Sequence, residues 1–334
     1  MKIAVTGANG HVGVNLCQAL LDQGHEVRAL IHHHAGALTS LPVTQIRGDI
    51  LDRESLRSFL QGIDVVFHLA ARITINGDPG GMVSGTNIDG TRNMLEIAAD
   101  AGIKRFIHFS SIDAIRPDPS AQVIDEDSIL VGSDGFPYSR SKAAGERLVL
   151  EAAHDKLDAV VVSPTAIIGP ADPDPSLTGK AVIQLYRHQV PGLVPGGYNW
   201  VDVRDVVEGA MAACRQGLRG EKYLLSGAWC SLSDLSGMIS RLTGARTPRL
   251  VFPYWLAMLG LPVISGYSRI TGNVPLYTSE SLKIIAGGNE HVSYEKARRT
   301  FGYQPRDLEN TIKDLLTWFV ENGYLKSYAK TDAN

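Results

Sequence analysis

The chain opens Met1-Lys2-Ile3-Ala4-Val5-Thr6-Gly7-Ala8-Asn9-Gly10-His11-Val12-Gly13-Val14, an apolar stretch that runs into three evenly spaced glycines. Lys2–Thr6 has the apolar pattern of a short strand. Gly7, Gly10 and Gly13 follow in the spacing G-x-x-G-x-x-G, and a helical pattern runs over Val12–Gln23. Glycines at a strand-to-helix turn permit a tight bend and let backbone N–H groups approach a pyrophosphate. The helix contributes the positive end of its dipole to the same anion. A strand before and a helix after are the context that makes a glycine pattern a dinucleotide site. Gly7, Asn9, Gly10, His11, Val12 and Gly13 are therefore expected at a cofactor.

Working outward, strand and helix patterns alternate. Glu26–Ile31, Val43–Arg47, Asp64–His68, Arg105–Ser110 and Ala159–Ser163 read as strands. Arg53–Gln61, Met82–Ala101 and Tyr138–His154 read as helices. Such alternation implies βαβ units, and near-continuous apolar strands imply a sheet covered on both faces. The expected fold class is α/β: a Rossmann-type doubly wound parallel sheet over residues 1–165. After residue 165 prolines and glycines interrupt the pattern, and helical pieces are expected at Val203–Arg215, Leu232–Thr243 and Leu308–Asn322. Residues 166–328 are expected to form a smaller, mostly helical substrate lobe, with some strands and helices returning to the first unit. The last residues, Ala329–Asn334, are expected to fray.

Further cofactor residues follow from position. An acid ending the second strand would bind the ribose 2′-hydroxyl of NAD. The sequence has His32-His33-His34 there. Without a carboxylate, repulsion of a 2′-phosphate is absent, and imidazoles donate hydrogen bonds to it. NADP(H) is favoured through His32, with NAD(H) the alternative. Asp49 and Ile50 follow the third strand near the expected adenine, where Asp49 is alternatively a helix-capping residue. Small residues after the fourth strand, Leu69-Ala70-Ala71, allow backbone close to the cofactor, and His68 reads as a core histidine. No metal site is expected.

Tyr138 and Lys142 lie four apart in a helical stretch, on one face. A tyrosine near its ordinary pKa of ~10 is a poor acid–base group at neutral pH. An adjacent ammonium is expected to lower that value, so that the pair moves a proton to or from a carbonyl or alcohol oxygen. Ser111, at the end of the strand Arg105–Ser110, offers a hydroxyl for the same oxygen.

With these pieces in order, the chain resembles the extended short-chain dehydrogenases/reductases. The resemblance rests on TGANGHVG (6–13), GDILD (48–52), DVVFHLAA (64–71), NIDGTRNMLEIA (87–98), RFIHFSSIDAI (105–115), PYSRSK (137–142) and SPTAIIGP (163–170). It implies Tyr138 as acid/base, Lys142 as its modulator and ribose ligand, and Ser111 rather than Ser110 as the polarising hydroxyl. It further implies Asn87 beside the cofactor, the alternative being a helix polar residue bonded to backbone. Pro164, Ala166 and Ile167 would border the nicotinamide. The SPTAIIGP stretch resembles the dihydroflavonol-4-reductase-like and 3β-hydroxysteroid-dehydrogenase-like branch. Nucleotide-sugar epimerases carry RxxNxxGP, where this sequence has Ser163 and Ala166. A homodimer through the helices at Met82–Ala101 and Tyr138–His154 is implied as well.

Composition narrows the classes. Of 334 residues, 32 are Lys or Arg and 35 are Asp or Glu, for a net charge of −3. That balance leaves neither a nucleic-acid footprint nor a polybasic membrane anchor. Three distant cysteines exclude a disulfide framework and a Cys-based zinc site. Arg187, Arg241, Arg246 and Arg249 are scattered, with no diphosphate cluster. The apolar run Leu250–Ile264 contains Pro253 and Pro262 and is too short to span a bilayer. It reads as a buried helix of the substrate lobe, the alternative being a monotopic membrane contact. Its aromatic and aliphatic residues suggest an apolar substrate. A cytoplasmic enzyme is expected, one that moves a hydride between nicotinamide and a carbonyl or secondary alcohol of a small apolar or aromatic molecule. The rivals are a nucleotide-sugar epimerase or dehydratase with recycled NAD, and a nucleotide sensor without chemistry.

Overall fold

Seven of the strands join one parallel sheet. In chain order the strands are β1 (Lys2–Thr6), β2 (Glu26–Ile31), β3 (Thr44–Arg47), β4 (Val65–His68), β5 (Arg105–Phe109), β6 (Ala159–Pro164), β7 (Ala166–Ile168), β8 (Gly197–Asp202), β9 (Lys222–Leu225) and β10 (Ala228–Ser231). The large sheet has the order β3-β2-β1-β4-β5-β6-β9, and every pairing in it is parallel. The order reverses between β1 and β4, which opens a crevice at their carboxyl ends, the usual ligand position in such sheets. The computed structural model describes residues 1–75, 77–116, 122–261, 277–288 and 290–326.

Helices cover both faces, as the continuous apolar strands require. On one side α1 (His11–Asp22) and α7 (Val203–Gln216) pack Leu16, Cys17, Leu20, Val206, Ala210 and Met211 against Val5, Val27, Phe67 and Ile107. Cys17 is fully enclosed, and burial pushes its thiol up to about 12, so it acts as a small apolar residue. On the other side lie α2 (Arg53–Leu60), α4 (Gly90–Asp100) and α5 (Pro137–Asp155). They bury Leu56, Phe59, Met94, Ile97 and Val149 over Ala4, Val66, Phe106 and Val161. Strand runs alternate faces, so each strand supplies both cores.

The expected single helix Met82–Ala101 is broken. A short piece, α3 (Met82–Ser84), leads into a π turn at Gly85–Asp89 before α4 begins. Gly90 sits where a Cβ would come within 2.5 Å of Ile50 Cδ1, so the helix passes tightly against the turn after β3.

The second half is largely helical, as expected, and carries strands as well. β9 and α7 return to the large sheet, while β10-β8-β7 form a second sheet of three strands. Its β8–β10 pair is antiparallel and its β7–β8 pair parallel. This sheet packs with α6 (Leu177–Tyr186), α8 (Leu232–Thr243) and the helix Leu308–Glu321 around Trp200, Leu235, Ile312 and Phe319. Pro262, Val263 and Ile264 of the apolar run, and the C-terminal residues 329–334, lie outside the described residues.

Candidate active site

The glycine turn is built without room for side chains. Gly7 has φ +67°, and a Cβ there would lie 2.7 Å from Ala70 N, on the turn after β4. A Cβ on Gly13 would lie 2.2 Å from Gly7 O and 2.6 Å from the Ala8 backbone. The turn after β1 is thereby drawn close against the start of α1, leaving a side-chain-free wall at the head of the cavity, a surface suited to a pyrophosphate. Gly13→Ala is expected to cost about 3 kcal/mol, since no flexible group can yield. Urea unfolding of the variant checks this.

Thr6 and His68 fasten the two central strands at this point. Ala70 N donates to Thr6 Oγ1 at 3.1 Å, and Thr6 Oγ1 lies 2.8 Å from His68 Nδ1. His68 Nε2 lies 3.1 Å from Thr91 Oγ1, whose hydroxyl donates to Asn87 O at 2.8 Å. With that hydroxyl committed, His68 must donate from Nε2 and accept at Nδ1, the neutral form. Burial, then the nearby Lys142 charge, drive its pKa to about 3. The expected core histidine is what the structure shows.

One cavity of about 1560 Å³ runs from the glycine turn into the second half of the chain. Single-ligand pockets reach ~1,000 Å³, so this one has room for a dinucleotide and a substrate. Ser111, Tyr138 and Lys142 line it together with Gly7, Asn9, Gly10, His11, Val12, Gly13, His32, Asp49, Ile50, Leu69, Ala70, Ala71, Pro164, Ala166 and Ile167. Tyr138 and Lys142 share a face of α5, which starts at Pro137, a residue preset for a first helical turn. The Lys142 ammonium is buried and donates to Phe109 O at the end of β5. Desolvation brings it down to about 8, against a raising influence of Glu146. Glu146 accepts from Ser110 Oγ at 2.5 Å and pairs with Lys222 Nζ at 3.4 Å.

A match to the family model for NAD dependent epimerases and dehydratases covers residues 3–226, two thirds of the chain and all of the glycine turn, Ser111, Tyr138 and Lys142. The chain belongs to the NAD dependent epimerase/dehydratase family. It is an NAD(P)-dependent oxidoreductase of the short-chain dehydrogenase/reductase kind. It is 33% identical to sterol demethylase protein B of Methylococcus capsulatus, over 97% of this chain and 100% of that protein. It is 32% identical to a putative dihydroflavonol 4-reductase of Synechocystis, over 97% of this chain and 96% of the relative. Among solved structures, gox2253 aligns with a TM-score of 0.83 at 31% identity, covering 97% of this chain and 99% of its own.

Within this family frame several of the site residues also have partners in the protein itself. Asn87 does not line the cavity among the described residues. Its side chain accepts from Arg72 N at 2.7 Å and donates to Arg72 O and Ser141 Oγ, tying the turn after β4 to α5. Sequence alone did not reveal that pairing, because Arg72 and Ser141 are remote from it in the chain. His32 does not stand alone at the ribose end. Its Nε2 lies 3.2 Å from Asp49 Oδ2, so the strand next door brings a carboxylate to the place where β2 lacks one. Asn9 Nδ2 donates to His34 O at 3.1 Å and closes the loop after β2. His11 Nε2 is 3.1 Å from Pro170 O, linking the start of α1 to the segment after β7.

The phenol of Tyr138 shifts opposite to the expectation. Burial raises its pKa, Asp113 raises it further, and a hydrogen bond with Ser111 offsets part of this. Lys142 is turned toward Phe109 O instead. The sequence carries no signal for Asp113, since one acid after a Ser-Ser pair has no motif spacing. It enters the site because Ser111 caps the short 3-10 turn Ile112–Ala114 and accepts from Asp113 N at 3.1 Å. Ser111 Oγ also lies 3.3 Å from Asp113 Oδ2, and burial raises that carboxyl. The apolar residues Phe252, Tyr254, Trp255, Leu256, Met258 and Leu259, expected to suggest the substrate, do not line the cavity. That role falls to Tyr198, Trp200, Trp229, Leu232, Leu235 and Tyr277.

Proposed function

We propose that the enzyme is an NADP(H)-preferring reductase or dehydrogenase of a small apolar or aromatic carbonyl compound or secondary alcohol. The observation that carries this reading is the continuity of one cavity. Its cofactor end has the side-chain-free glycine cradle, its middle has Ser111, Tyr138 and Lys142, and its far end is aromatic. A nicotinamide dinucleotide bound along the glycine end supplies or accepts the hydride. Relatives named as reductases support the redox direction: a 4-hydroxy-2-methyl-3-oxo-4-farnesyl-3,4-dihydroquinoline-1-oxide ketoreductase of Stigmatella aurantiaca at 30% identity and a 2-alkyl-3-oxoalkanoate reductase of Stenotrophomonas maltophilia at 29%.

The chain's own groups divide the work. Ser111 Oγ holds the substrate oxygen, and Tyr138 Oη gives it a proton. The raised phenol keeps that proton through neutral pH. Lys142 carries its charge at neutral pH and anchors the ribose side. His32 donates to the 2′-phosphate after its ring turns away from the Asp49 carboxylate, which lies 3.2 Å from Nε2. Asn87 positions α5 and the turn after β4 through Ser141 and Arg72. A cytoplasmic homodimer through α4 and α5 completes the reading.

The test is a parallel fluorescence titration of cofactor-stripped protein with NADPH and NADH, followed by carbonyl reduction with net oxidation of cofactor. NADPH is expected to bind more tightly, and His32→Ala to remove the difference. Tyr138→Phe is expected to bind cofactor normally and to lose about 10²–10⁴-fold in kcat. Undiminished turnover in that variant contradicts the role given to Tyr138.

The second reading is the epimerase or dehydratase, favoured by the cationic groups Arg72, Arg116, Lys180 and Lys283 on the cavity wall. A UDP-glucuronic acid 4-epimerase of Bacillus cereus, solved with UDP-glucuronic acid and NAD, shares the fold at 22% identity and a TM-score of 0.77, covering 96% of this chain and 99% of its own. In that case turnover leaves the cofactor unconsumed.

A further inference from the structure

We propose that the face carrying Leu250, Trp255, Leu256 and Leu259, rimmed by Arg246 and Arg249, docks the enzyme onto an anionic lipid surface. Residues 254–261 are helical, and the inner side of this helix packs Tyr254, Ala257, Met258 and Leu261 on the second core. Its outer side is apolar as well: Trp255 is 64% exposed, Leu259 68% and Leu256 40%, and the preceding Leu250 is 67% exposed. Trp255 and Leu259 lie four apart and so project together. A surface helix of a globular protein places polar residues outward, whereas one that is apolar all round is buried or meets lipid. Isolated exposed leucines need no explanation, but a helix side whose exposed residues Trp255, Leu256 and Leu259 are all apolar marks an interaction surface.

Charge identifies the occupant. No Asp or Glu occurs between Asp234 and Glu280, in a chain whose acids outnumber its bases. Arg246 and Arg249 are exposed, and neither makes an ion pair among the described residues. Apolar side chains with Trp on one side and unpaired arginines at the rim are the composition of an interfacial segment attracted by anionic headgroups. A second copy fits less well. A two-fold contact sets the same patch against itself, and this one would bring four arginines to one interface with no acid from residues 235–279 to pair them. No helix among the described residues is long and apolar enough to cross a membrane.

The segment is also fastened to the cavity wall. Leu193 N donates to Leu250 O at 2.7 Å and Phe252 N donates to Leu193 O at 2.8 Å, and Leu193 lines the cavity. Docking therefore sets the apolar half of the cavity beside the lipid surface, where a lipophilic substrate is concentrated.

The experiment is co-sedimentation of the full chain, saturated with NADPH, with phosphatidylcholine vesicles containing roughly a quarter phosphatidylglycerol. The protein is expected in the pellet at about 50 mM salt and largely in the supernatant at about 500 mM. Trp255→Glu/Leu259→Glu and Arg246→Glu/Arg249→Glu are each expected to lower binding by ~10-fold or more while NADPH binding is unchanged. Wild-type protein that stays in the supernatant at low salt overturns the proposal, as does pelleting that neither double variant weakens. Sedimentation velocity without vesicles supplies the remaining outcome. A dimer converted to monomer by Trp255→Glu/Leu259→Glu assigns the face to a second copy and overturns the lipid reading, and an unchanged sedimentation coefficient supports it.

Discussion

Lys142→Met is expected to make the cofactor-free protein more stable and nearly inactive. Lys142 is buried, and its pKa falls to about 8 from the ordinary 10.5 because desolvation outweighs Glu146. The sign follows from proton binding. Below pH 8 the folded and unfolded chains both hold the proton, so the whole cost of burying the charge is present. As pH rises from about 8 to 10.5 only the unfolded chain keeps it, stability rises, and the penalty disappears. At pH 7 the cost is roughly 3 kcal/mol, from ~1.4 kcal/mol per pH unit. Methionine fills a similar volume without charge. The Phe109 carbonyl loses its donor, which returns about 1 kcal/mol. Glu146 keeps Ser110 and Lys222 as partners. A net gain of about 2 kcal/mol in urea unfolding at pH 7, shrinking toward pH 10.5, is the expected result. Turnover falls about 10²–10⁴-fold with it. A variant less stable than wild type at pH 7 contradicts the argument. The same titration predicts that carbonyl reduction by wild type declines above pH 8. A site that stores strain in this way trades stability for chemistry.

The first half of the fold was legible because its strands advertise themselves. Val65–His68 and Ala159–Pro164 are unbroken apolar runs between helical periods, and such runs have one economical arrangement. Ala166–Ile168 and Ala228–Ser231 gave no such signal. Each is three or four residues long, and the pairing that makes it a strand comes from β8, distant in sequence. The helix Leu177–Tyr186 was hidden by the prolines before it, although Ser176 caps it in the ordinary way. At the site, residues whose role is to be small or to repeat at a fixed spacing were readable, as Gly7, Gly13, Tyr138 and Lys142 show. Groups placed there by another strand were not. Asp49 beside His32 and Asp113 beside Ser111 both depend on packing, and both change the electrostatics that the sequence suggested.

Acid is expected to unfold the protein through two histidines that cannot take a proton in place. His68 is held neutral between Thr6 and Thr91, at about 3 against an ordinary 6.5. A second proton on Nδ1 would remove the acceptor of the Thr6 hydroxyl proton and leave that buried donor unpaired. His108, 5.5 Å from His68 between ring centroids, is fully enclosed, and neither of its nitrogens has a hydrogen-bond partner. Burial, then Lys142, then His68 lower its pKa well below the ordinary value. For such groups stability is fully present above pH 6.5. As pH falls below 6.5 the unfolded chain takes up protons that the folded chain refuses, and stability is lost. Each histidine contributes a slope of about 1.4 kcal/mol per pH unit, and His68 alone costs roughly 5 kcal/mol by pH 3. That is comparable to the whole stability of many domains, about 5–15 kcal/mol. The raised carboxyls of Asp113, Glu126, Asp205 and Glu280 act oppositely, because the folded chain protonates them before the unfolded chain does, and they reduce the slope wherever they titrate. Urea unfolding at pH 7.5, 6.5 and 5.5 is expected to show ΔG falling with a slope approaching about 2.7 kcal/mol per unit. His108→Phe removes a buried group with no partner. It is expected to halve that slope and to add about 1 kcal/mol at pH 7.5. A slope that His108→Phe leaves unchanged would show that His108 reaches a proton in the folded chain, and that its enclosure by α5 and the sheet is not what keeps it neutral.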